Sequence, residues 1–410
     1  MQPKNETPRT SEFNGLNNMV DPVALDLSWA TVADNVDITN KQKLVRTKGH
    51  TRVTSSTAIS GAYATKDFSR AYVIDNGLLI QLNKDMSAMR TLRTGLSLAP
   101  YAFDEVNGVV YFTNGIDFGM IDGDGAKPWG ISDPDAPQVL IENGGSLQAG
   151  VYQIVCTFVD KRGLESSNSD VVVAQTTGNK SRLFITGIPQ ATGYTTNVYA
   201  TNKDGNVLML LRENCGPDTT YDASDKLYRE LPFWNTNTPR GSLVAYFGGR
   251  MYTAEHFPSS DMSAIWSSLP LHFHHFDPGS EGTMVPGKAL VIRGSRETHF
   301  TGNERLTQRG VADALIIGTD REIYTWDGDQ LVLLASYGVI PGQHAVEFKG
   351  KLYFWTQRGL CRALPFENLH ESTVSVPPGL SAAGAVIEKD GTRRYVVALV
   401  KGGDAFNPKQ

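Results

Sequence analysis

Residues 313–338, DALIIGTDREIYTWDGDQLVLLASYG, contain the pattern from which the fold can be predicted. Three runs rich in β-branched, aromatic and leucine residues are separated by Thr319-Asp320 and by Gly328-Asp329. Each run has the length of a strand, and aspartate and glycine are residues that tight turns favour. The stretch therefore predicts three consecutive antiparallel strands with short connections.

The same plan recurs along the chain. The segments RAYVIDNGLLIQLN (70–83) and NGVVYFTNGIDFGMIDGDG (107–125) turn at Asn76-Gly77 and Asn114-Gly115, and similar segments start near residues 248, 350 and 391. A helical apolar period of about 3.6 residues is nearly absent. Sheets that recur about every 35 to 50 residues are typical of a β-propeller. We therefore predict an all-β chain with a propeller of five or six blades, and an array of β-sandwiches is the alternative.

One block departs from the repeat. In residues 133–214 the runs GVYQIVCTFVD, RLFITGIP and TNVYATNKDGNVLMLL alternate cleanly between apolar and polar positions. This pattern predicts a small antiparallel sandwich of the immunoglobulin or fibronectin type III kind, inserted between blades. The predicted division is an N-terminal arm with a closing strand (1–48), a first part of the propeller (49–132), the inserted sandwich (133–225) and a second part of the propeller (226–410).

Composition limits the classes of function. The chain has 410 residues, a formal net charge of -5 and a pI near 5.9, which argue against a dedicated nucleic-acid-binding domain. Cys156, Cys215 and Cys361 show no CxxC spacing, so we expect reduced thiols in a protein made in cytoplasm, with Cys156 in the core. We expect neither a signal peptide nor a membrane span, because no apolar run approaches about 18 residues.

Two clusters resemble metal sites. His272 and His274 would share one face of a strand beside His275, and an HxH pair can bind zinc. An edge loop with Phe273 and Phe276 packed inwards is the favoured interpretation. Asp122 and Asp124 are spaced like the start of a calcium loop, but the other ligands are missing, which favours a solvated turn. The sequence therefore predicts no metal and no cofactor.

Signals of catalysis are weak. Thr319, Asp320 and Trp326 partly match the Asp-box of sialidase propellers, but the spacing differs and the glycine is missing, so we interpret them as a turn and a packing tryptophan. The chain contains no GxSxG, P-loop, HExxH or strand-associated GxGxxG motif. We therefore predict no catalytic residues and expect that the protein is not an enzyme.

The N-terminal segments NGLNNMVDP (14–22) and ATVADNVDITNKQKLVRTKG (30–49), followed by the blades, resemble the tail nozzle or tail hub proteins of short-tailed bacteriophages and related virion structural proteins. The family's arm, strand and basic turn correspond here to Asn14–Asn18, Ala33–Ile38 and Lys43–Lys48. The turn reads KLVRTKG, which departs from the doubly arginine form of the family.

The resemblance implies a ring, of six copies by family likeness, that continues the DNA-ejection channel of a virion tail assembled in the host cytoplasm. Partners would be further copies, tail adaptor and fibre proteins, and phage DNA in transit. Candidate contacts to a neighbouring copy or an adaptor are Asn14, Leu16, Asn17, Asn18 and Asp21. Candidate acidic residues of the channel lining are Asp117, Asp122 and Asp124, because acidic groups repel phosphates.

The arm has a predicted role in closing the propeller. The strand NVDIT (35–39) is expected to pair with RRYVVALV (393–400) and thereby cover an exposed edge. The alternative is an arm packed locally within its own chain.

Two other functions remain open. A receptor-binding or glycan-binding propeller would expose Trp234, Trp266 and Trp326. A glycan depolymerase would place two carboxylates about 5 to 10 Å apart in a cleft, and the candidates are Asp320, Glu322, Asp327 and Glu347.

Overall fold

A computed structural model describes residues 13–34, 36–38, 44–46, 56, 58–123, 125–232, 241–276, 282–296, 313–348, 351–371, 373–389 and 392–400. Regular structure in these residues consists of strands and one 3₁₀ turn, which confirms the all-β prediction. Over the same residues, no helix has the length and apolarity needed to cross a membrane.

The arm contains four short strands: β1 (Gly15–Leu16), β2 (Trp29–Ala30), β3 (Val36–Ile38) and β4 (Leu44–Arg46), with the 3₁₀ turn at Pro22–Ala24 between the first two. Strands β1 and β2 are parallel, and β3 and β4 form an antiparallel pair.

The predicted pairing of residues 35–39 with residues 393–400 is wrong for the part that the structure describes. Strand β3 pairs with β4, whereas residues 392–400 pair with residues 381–389. A local hairpin closes a much shorter loop than a contact between the two ends of the chain, so it costs less entropy. Residues 35 and 39 lie outside the described residues.

Blades 1 and 2 are four-stranded antiparallel meanders. Blade 1 contains β5 (Ile59–Ala64), β6 (Ala71–Asp75), β7 (Leu78–Leu82) and β8 (Ala88–Arg93), and blade 2 contains β9 (Ala102–Val106), β10 (Val109–Thr113), β11 (Phe118–Asp122) and β12 (Gly125–Lys127). The predicted turn between β6 and β7 is confirmed, because Asn76 and Gly77 have φ angles of 49° and 74°. Two successive residues with positive φ match the twist of a tight hairpin.

The inserted sandwich follows blade 2. Its strands are β13 (Gln138–Leu147), β14 (Gly150–Asp160), β15 (Val172–Thr176), β16 (Ser181–Thr186), β17 (Tyr194–Ala200), β18 (Met209–Cys215) and β19 (Thr219–Tyr221). They form two sheets with the orders β13-β16-β19 and β15-β14-β17-β18, and Ile154, Leu183 and Val198 lie fully buried in the core of the sandwich. Cys156 belongs to this core as predicted, and burial raises the pKa of its thiol to about 12.

The propeller then resumes with three more sheets. Blade 3 contains β20 (Leu243–Phe247), β21 (Arg250–Phe257), β22 (Met262–Leu269), β23 (His272–Phe276) and β24 (Thr283–Pro286). Blade 4 contains β25 (Ala289–Arg296), β26 (Asp313–Thr319), β27 (Ile323–Trp326) and β28 (Leu331–Ala335). Blade 5 contains β29 (Val346–Phe348), β30 (Lys351–Thr356), β31 (Gly359–Ala363) and β32 (Glu367–Asn368).

Blade 4 shows how a blade buries both of its faces. Alternate residues of β26 enter two different cores: Leu315 and Ile317 pack towards blade 3, and Ala314 and Ile316 pack towards blade 5. A strand buried on both faces is apolar at nearly every position, as ALIIGT is.

The chain ends its described part in a two-stranded sheet, which we call the last hairpin, formed by β33 (Ser381–Lys389) and β34 (Thr392–Val400). Within the described residues the propeller therefore has five sheets of four or more strands and half of a sixth. The predicted count of five or six blades corresponds to this arrangement.

Side-chain hydrogen bonds link different blades of the propeller. Arg293 of blade 4 donates hydrogen bonds to the carbonyl oxygens of Val244 in blade 3, at 2.6 Å, and of Phe103 in blade 2, at 2.8 Å. Gln343, ahead of blade 5, accepts a hydrogen bond from the Ala62 backbone N–H of blade 1 and donates one to the carbonyl oxygen of Tyr101. Direct hydrogen bonds thus link blade 4 to blades 2 and 3, and the segment ahead of blade 5 to blade 1 and to the residue before blade 2.

Candidate interaction surface

Asn18 fixes the arm to the C-terminal half of its own chain. Its Nδ2 donates to the carbonyl oxygen of Ser375 at 2.9 Å, and its Oδ1 accepts from the Ser375 N–H at 2.7 Å. The Asn18 backbone N–H also donates to the carbonyl oxygen of Thr373. A side-chain amide offers the same donor and acceptor as a peptide group, so Asn18 acts here like one residue of an added strand.

The other predicted contact residues of the arm are also used within the chain. Asn14 donates to Ser28 at 2.8 Å, Asn17 is buried and accepts from the N–H groups of the next turn, and Asp21 accepts from the N–H of Val23. Leu16 is half-buried in strand β1. These contacts agree with the locally packed arm given above as the alternative. The predicted contact of these residues with a neighbouring copy or an adaptor stays a prediction.

Five apolar residues of the arm are exposed. We call these exposed side chains the arm surface: Met19, Val20, Val23, Leu27 and Val32. Val23 is 94% exposed and Leu27 is 62% exposed. Scattered exposed apolar residues are normal, but five within a stretch of fourteen residues indicate a contact that the isolated chain does not make.

The last hairpin has one buried and one exposed face. Ala382, Tyr395, Val397 and Leu399 pack with Ile340 and Trp355 beside blade 5. The opposite face is apolar and exposed, and we call it the hairpin face: Ala383, Ala385, Ile387, Val396, Ala398 and Val400. Direct pairing of Ala383 with Ala398 and of Ala385 with Val396 puts these side chains on the same side of the sheet. Unlike blade 4, the hairpin therefore lacks a cover on one side.

The apolar pattern of the two strands indicates that both of their faces can be buried, which the repeated turns alone do not reveal. The run SAAGAVIEK and the run RRYVVALV are apolar at both odd and even positions, which is typical of strands buried on both faces. The predicted repeats include a segment that starts near residue 391, but not the strand that precedes it. The structure instead pairs two long strands and leaves one of their apolar faces open.

Of the three predicted channel-lining residues, Asp117 is engaged within blade 2. Its Oδ2 accepts from the Ser97 N–H and from the Tyr101 hydroxyl, both at 2.7 Å. Burial would raise the pKa of Asp117, but these hydrogen bonds outweigh burial and lower it. Asp117 also lines a cleft of about 370 Å³ between blade 2 and the sandwich, together with Arg93, Phe158 and Tyr194.

Asp122 forms an ion pair with Lys127 at 2.8 Å, and both side chains are partly exposed. The pair confirms the solvated turn expected for this loop and offsets the negative charge of Asp122 locally. Asp124 lies outside the described residues. A channel lining formed by these loops stays a prediction.

The histidines of β23 differ in environment. His272 is exposed, His274 is half-buried and His275 is buried. Burial, and then the charge of Arg162, lower the pKa of His274 to about 4, so its imidazole is neutral near pH 7. Phe276 is buried and Phe273 half-buried, as predicted, but residues 272–276 form a strand and not the predicted edge loop. In the described part of the chain, no group of three or more metal-ligating side chains lies together.

The residues of the two alternative functions have structural roles. Trp326 is 6% exposed and lies in the core between blades 3 and 4, while Trp266 is half-buried and donates to Glu255. Trp326 is therefore unavailable to a glycan, and Trp234 lies outside the described residues. The Thr319 N–H donates to the carbonyl oxygen of Glu322 at 2.8 Å, which confirms the predicted turn. Within this turn, Asp320 Oδ1 accepts from the Lys288 N–H at 2.9 Å.

Two of the other candidate acids form hydrogen bonds. Glu322 accepts a hydrogen bond from the Tyr324 hydroxyl, and hydrogen bonds from the N–H groups of Gln330 and Asp329 lower the pKa of Asp327. Wherever a described carboxyl group has a resolved pKa shift, the shift is downwards.

Comparisons with known proteins add little. No protein-family model and no curated protein sequence matches the chain. Among solved structures, extracellular domains 1-2 of Drosophila Semaphorin 1a share 10% identity over 76% of this chain and 86% of theirs, with a TM-score of 0.25. That overlay is too loose to support an argument, so the sheets themselves define the propeller.

Proposed function

We propose that the chain is a structural protein of a bacteriophage tail that assembles into a ring around the path of the ejected DNA. The carrying observation is the arm: its polar residues hold it on its own chain, while its apolar residues stay exposed. An arm that is fixed by its polar residues and exposes apolar residues is suited to bind a neighbouring copy. The proposal also rests on the similarity of residues 14–49 to the arms of tail nozzle and tail hub proteins.

The proposed path for DNA runs between copies and not through one propeller. Hydrogen bonds of 2.6 and 2.8 Å from Arg293 hold strands of blades 3 and 2 directly against blade 4. A duplex whose major groove alone is about 12 Å wide does not fit there. A ring of identical subunits, by contrast, encloses an opening on its symmetry axis, whose width is set by the number of copies.

The charge of the chain suits such a path. The formal net charge of -5 gives each added copy further negative charge, which disfavours adhesion of the DNA backbone. In this proposal the wall guides DNA by shape and weak repulsion and makes no chemical change to it. Tail adaptor and fibre proteins would be the other partners.

Electron microscopy of virions tests the proposal. Particles of the phage that encodes the chain are labelled with gold-conjugated antibody against it, and pre-immune antibody is the control. Label at the distal end of the tail, with a ring in class averages, supports the proposal. Label on lateral fibres would favour receptor binding instead, and virions without label would overturn the assignment to the tail.

A further inference from the structure

We propose that His274 makes the contact between the inserted sandwich and the propeller sensitive to pH. A turn of the sandwich rests on blades 2 and 3 while the imidazole is neutral, and protonation of the imidazole releases it. This inference goes beyond the proposed function and concerns a single copy, so it holds whether or not copies form a ring.

A tight turn of the sandwich contacts blade 2. Residues 160–163 directly follow the body of β14, and the Gly163 N–H donates to the carbonyl oxygen of Asp160 at 3.0 Å. We call these four residues the sandwich turn. Arg162 Nη1 of this turn lies 3.9 Å from the Met120 sulfur atom of β11, and Met120 is 2% exposed. The guanidinium group therefore lies on a buried position of blade 2.

His274 reaches the same place from blade 3. Tyr111 and Met120 are direct partners in β10 and β11, so their side chains lie on the same side of the sheet. The rings of His274 and Tyr111 are 6.3 Å apart, measured between centroids. The His274 Nδ1 is buried and has no hydrogen-bond partner in the described part of the chain. Protonation turns both ring nitrogens into donors, which is costly where no acceptor is present.

The charges around this imidazole also disfavour its protonated form. Arg162 contributes a positive charge from the sandwich turn, and His275 adds a smaller effect of the same direction from the same strand. Asp160 acts in the opposite direction more weakly, because its carboxylate is paired with Arg162 at 2.6 Å. The next charged groups, Asp122 and Lys127 of blade 2, form an ion pair with each other. A second cation beside Arg162 therefore weakens the contact.

The direction of the pH dependence follows from these contacts. Burial and Arg162 lower the pKa of His274 to about 4 with the turn in place, against 6.5 for a solvated imidazole. The packed state is therefore favoured above pH 6.5, and this advantage is lost as the pH falls towards 4. Between pH 7.5 and 5 the ratio of released to packed turn rises by at most about 30-fold. This value is an upper limit, because blades 2 and 3 still bury part of the ring after release.

The sandwich is built to move as a unit. It has a core of its own, and the connection into it, residues 128–137, contains no strand. The cleft of about 370 Å³ lies at the same junction, with Phe158 and Tyr194 on the side of the sandwich and Arg93 and Phe118 on the side of the blades. Release of the sandwich turn therefore widens this cleft.

Thiol labelling measures the released state even when it is rare. Met120→Cys in the full-length chain places a thiol under Arg162, where a thiol reagent reaches it only after the turn has left. Its labelling rate is divided by that of Leu98→Cys at the same pH, which corrects for the thiolate fraction. Leu98 is 62% exposed. We expect the ratio of rates to rise about fivefold or more between pH 7.5 and 5.

Matched variants assign the effect to one imidazole. In the Met120→Cys background, His274→Gln should remove the rise, whereas His272→Gln, at an exposed position of the same strand, should retain it. The native thiols of Cys156 and Cys361 are buried in the sandwich and in blade 5, so their labelling reports unfolding of either unit. Both should stay protected over the same range of pH.

An NMR titration of the wild-type histidines is independent of the introduced thiol. We expect the pKa of His274 well below its ordinary value, Arg162→Gln to raise it, and Arg162→Lys to keep it low. A pKa of His274 near 6.5 in the wild type would overturn the proposal.

The labelling outcomes are equally decisive. A rise that persists in His274→Gln, the absence of a rise, or a rise shared by Cys156 and Cys361 would each overturn the pH-sensitive contact. None of these results bears on the tail assignment, which gold labelling of virions decides.

Discussion

At the scale of single residues, polar side chains in this protein act mainly on backbone groups. Asn18 bonds both polar groups of Ser375, Asp117 holds the N–H of Ser97, and Arg293 joins the carbonyl groups of two other blades. From the sequence, Asn18 is predicted to contact a neighbouring copy or an adaptor, and Asp117 is predicted to line a channel. Residue type and local spacing did not reveal that acceptors and donors of the same chain, distant in sequence, would engage them.

His344 is a residue whose environment predicts a pH dependence. Its side chain is fully buried, Nδ1 accepts from the Trp355 N–H at 2.9 Å, and Nε2 therefore carries the proton and donates to the carbonyl oxygen of Ile340. Burial lowers the pKa of His344 to about 4 from the ordinary value of 6.5. The folded protein thus binds this proton less readily than the unfolded chain.

We predict that stability falls as the pH is lowered from 6.5 to 4. The contribution of His344 is fully present above pH 6.5 and is lost as the pH falls towards 4, by about 3 kcal/mol in all. His344→Asn removes this titration, so its free energy of unfolding should change less over the same range. Urea denaturation at several pH values measures both curves, and parallel curves would contradict the assignment.

At the scale of elements, hairpin turns are the features that the sequence predicts best. The Asn76-Gly77 turn forms because both residues tolerate positive φ, and this preference is contained in the two residues themselves. The contacts of the turn, by contrast, depend on the tertiary structure. The carbonyl oxygen of Gly77 accepts a hydrogen bond from the Leu96 N–H, so the loop that contains Leu96 lies against the turn.

Gly77 and Gly95 allow the effect of a positive φ on stability to be distinguished from the effect of steric crowding. Gly77 and Gly95 both have a φ of 74°, but a Cβ on Gly77 would lie 2.6 Å from the Leu96 carbonyl oxygen, whereas none lies within 4 Å at Gly95. We predict that Gly95→Ala costs about 1 to 2 kcal/mol from backbone strain alone, and that Gly77→Ala costs at least 1 kcal/mol more. Urea denaturation compares the two variants, and equal losses would show that the turn relaxes freely.

At the scale of the whole molecule, the sandwich and the propeller have separate cores. Ile154, Leu183 and Val198 pack within the sandwich, and Leu315 and Ile317 pack between blades. All six tryptophans lie outside residues 133–225. Tryptophan fluorescence therefore reports on the arm and the propeller, whereas circular dichroism reports on both units.

We predict that the two units unfold in separate transitions. Leu183→Ala should lower the stability of the sandwich by about 2 to 5 kcal/mol, moving a circular dichroism transition while the fluorescence transition stays in place. Leu315→Ala, a substitution of the same size in the propeller core, should move the fluorescence transition. Coincident shifts of both probes in both variants would instead indicate one cooperative unit.

The sequence by itself determined the strands, their turns and the inserted sandwich, because apolar alternation and turn residues act over a few neighbouring positions. It also placed Cys156 and Trp326 where the cores are. Tertiary structure alone decided that Arg293 and Gln343 link different blades and that one face of the last hairpin is open. These features depend on which distant segments meet in space, and that choice balances loop entropy against packing over the whole chain.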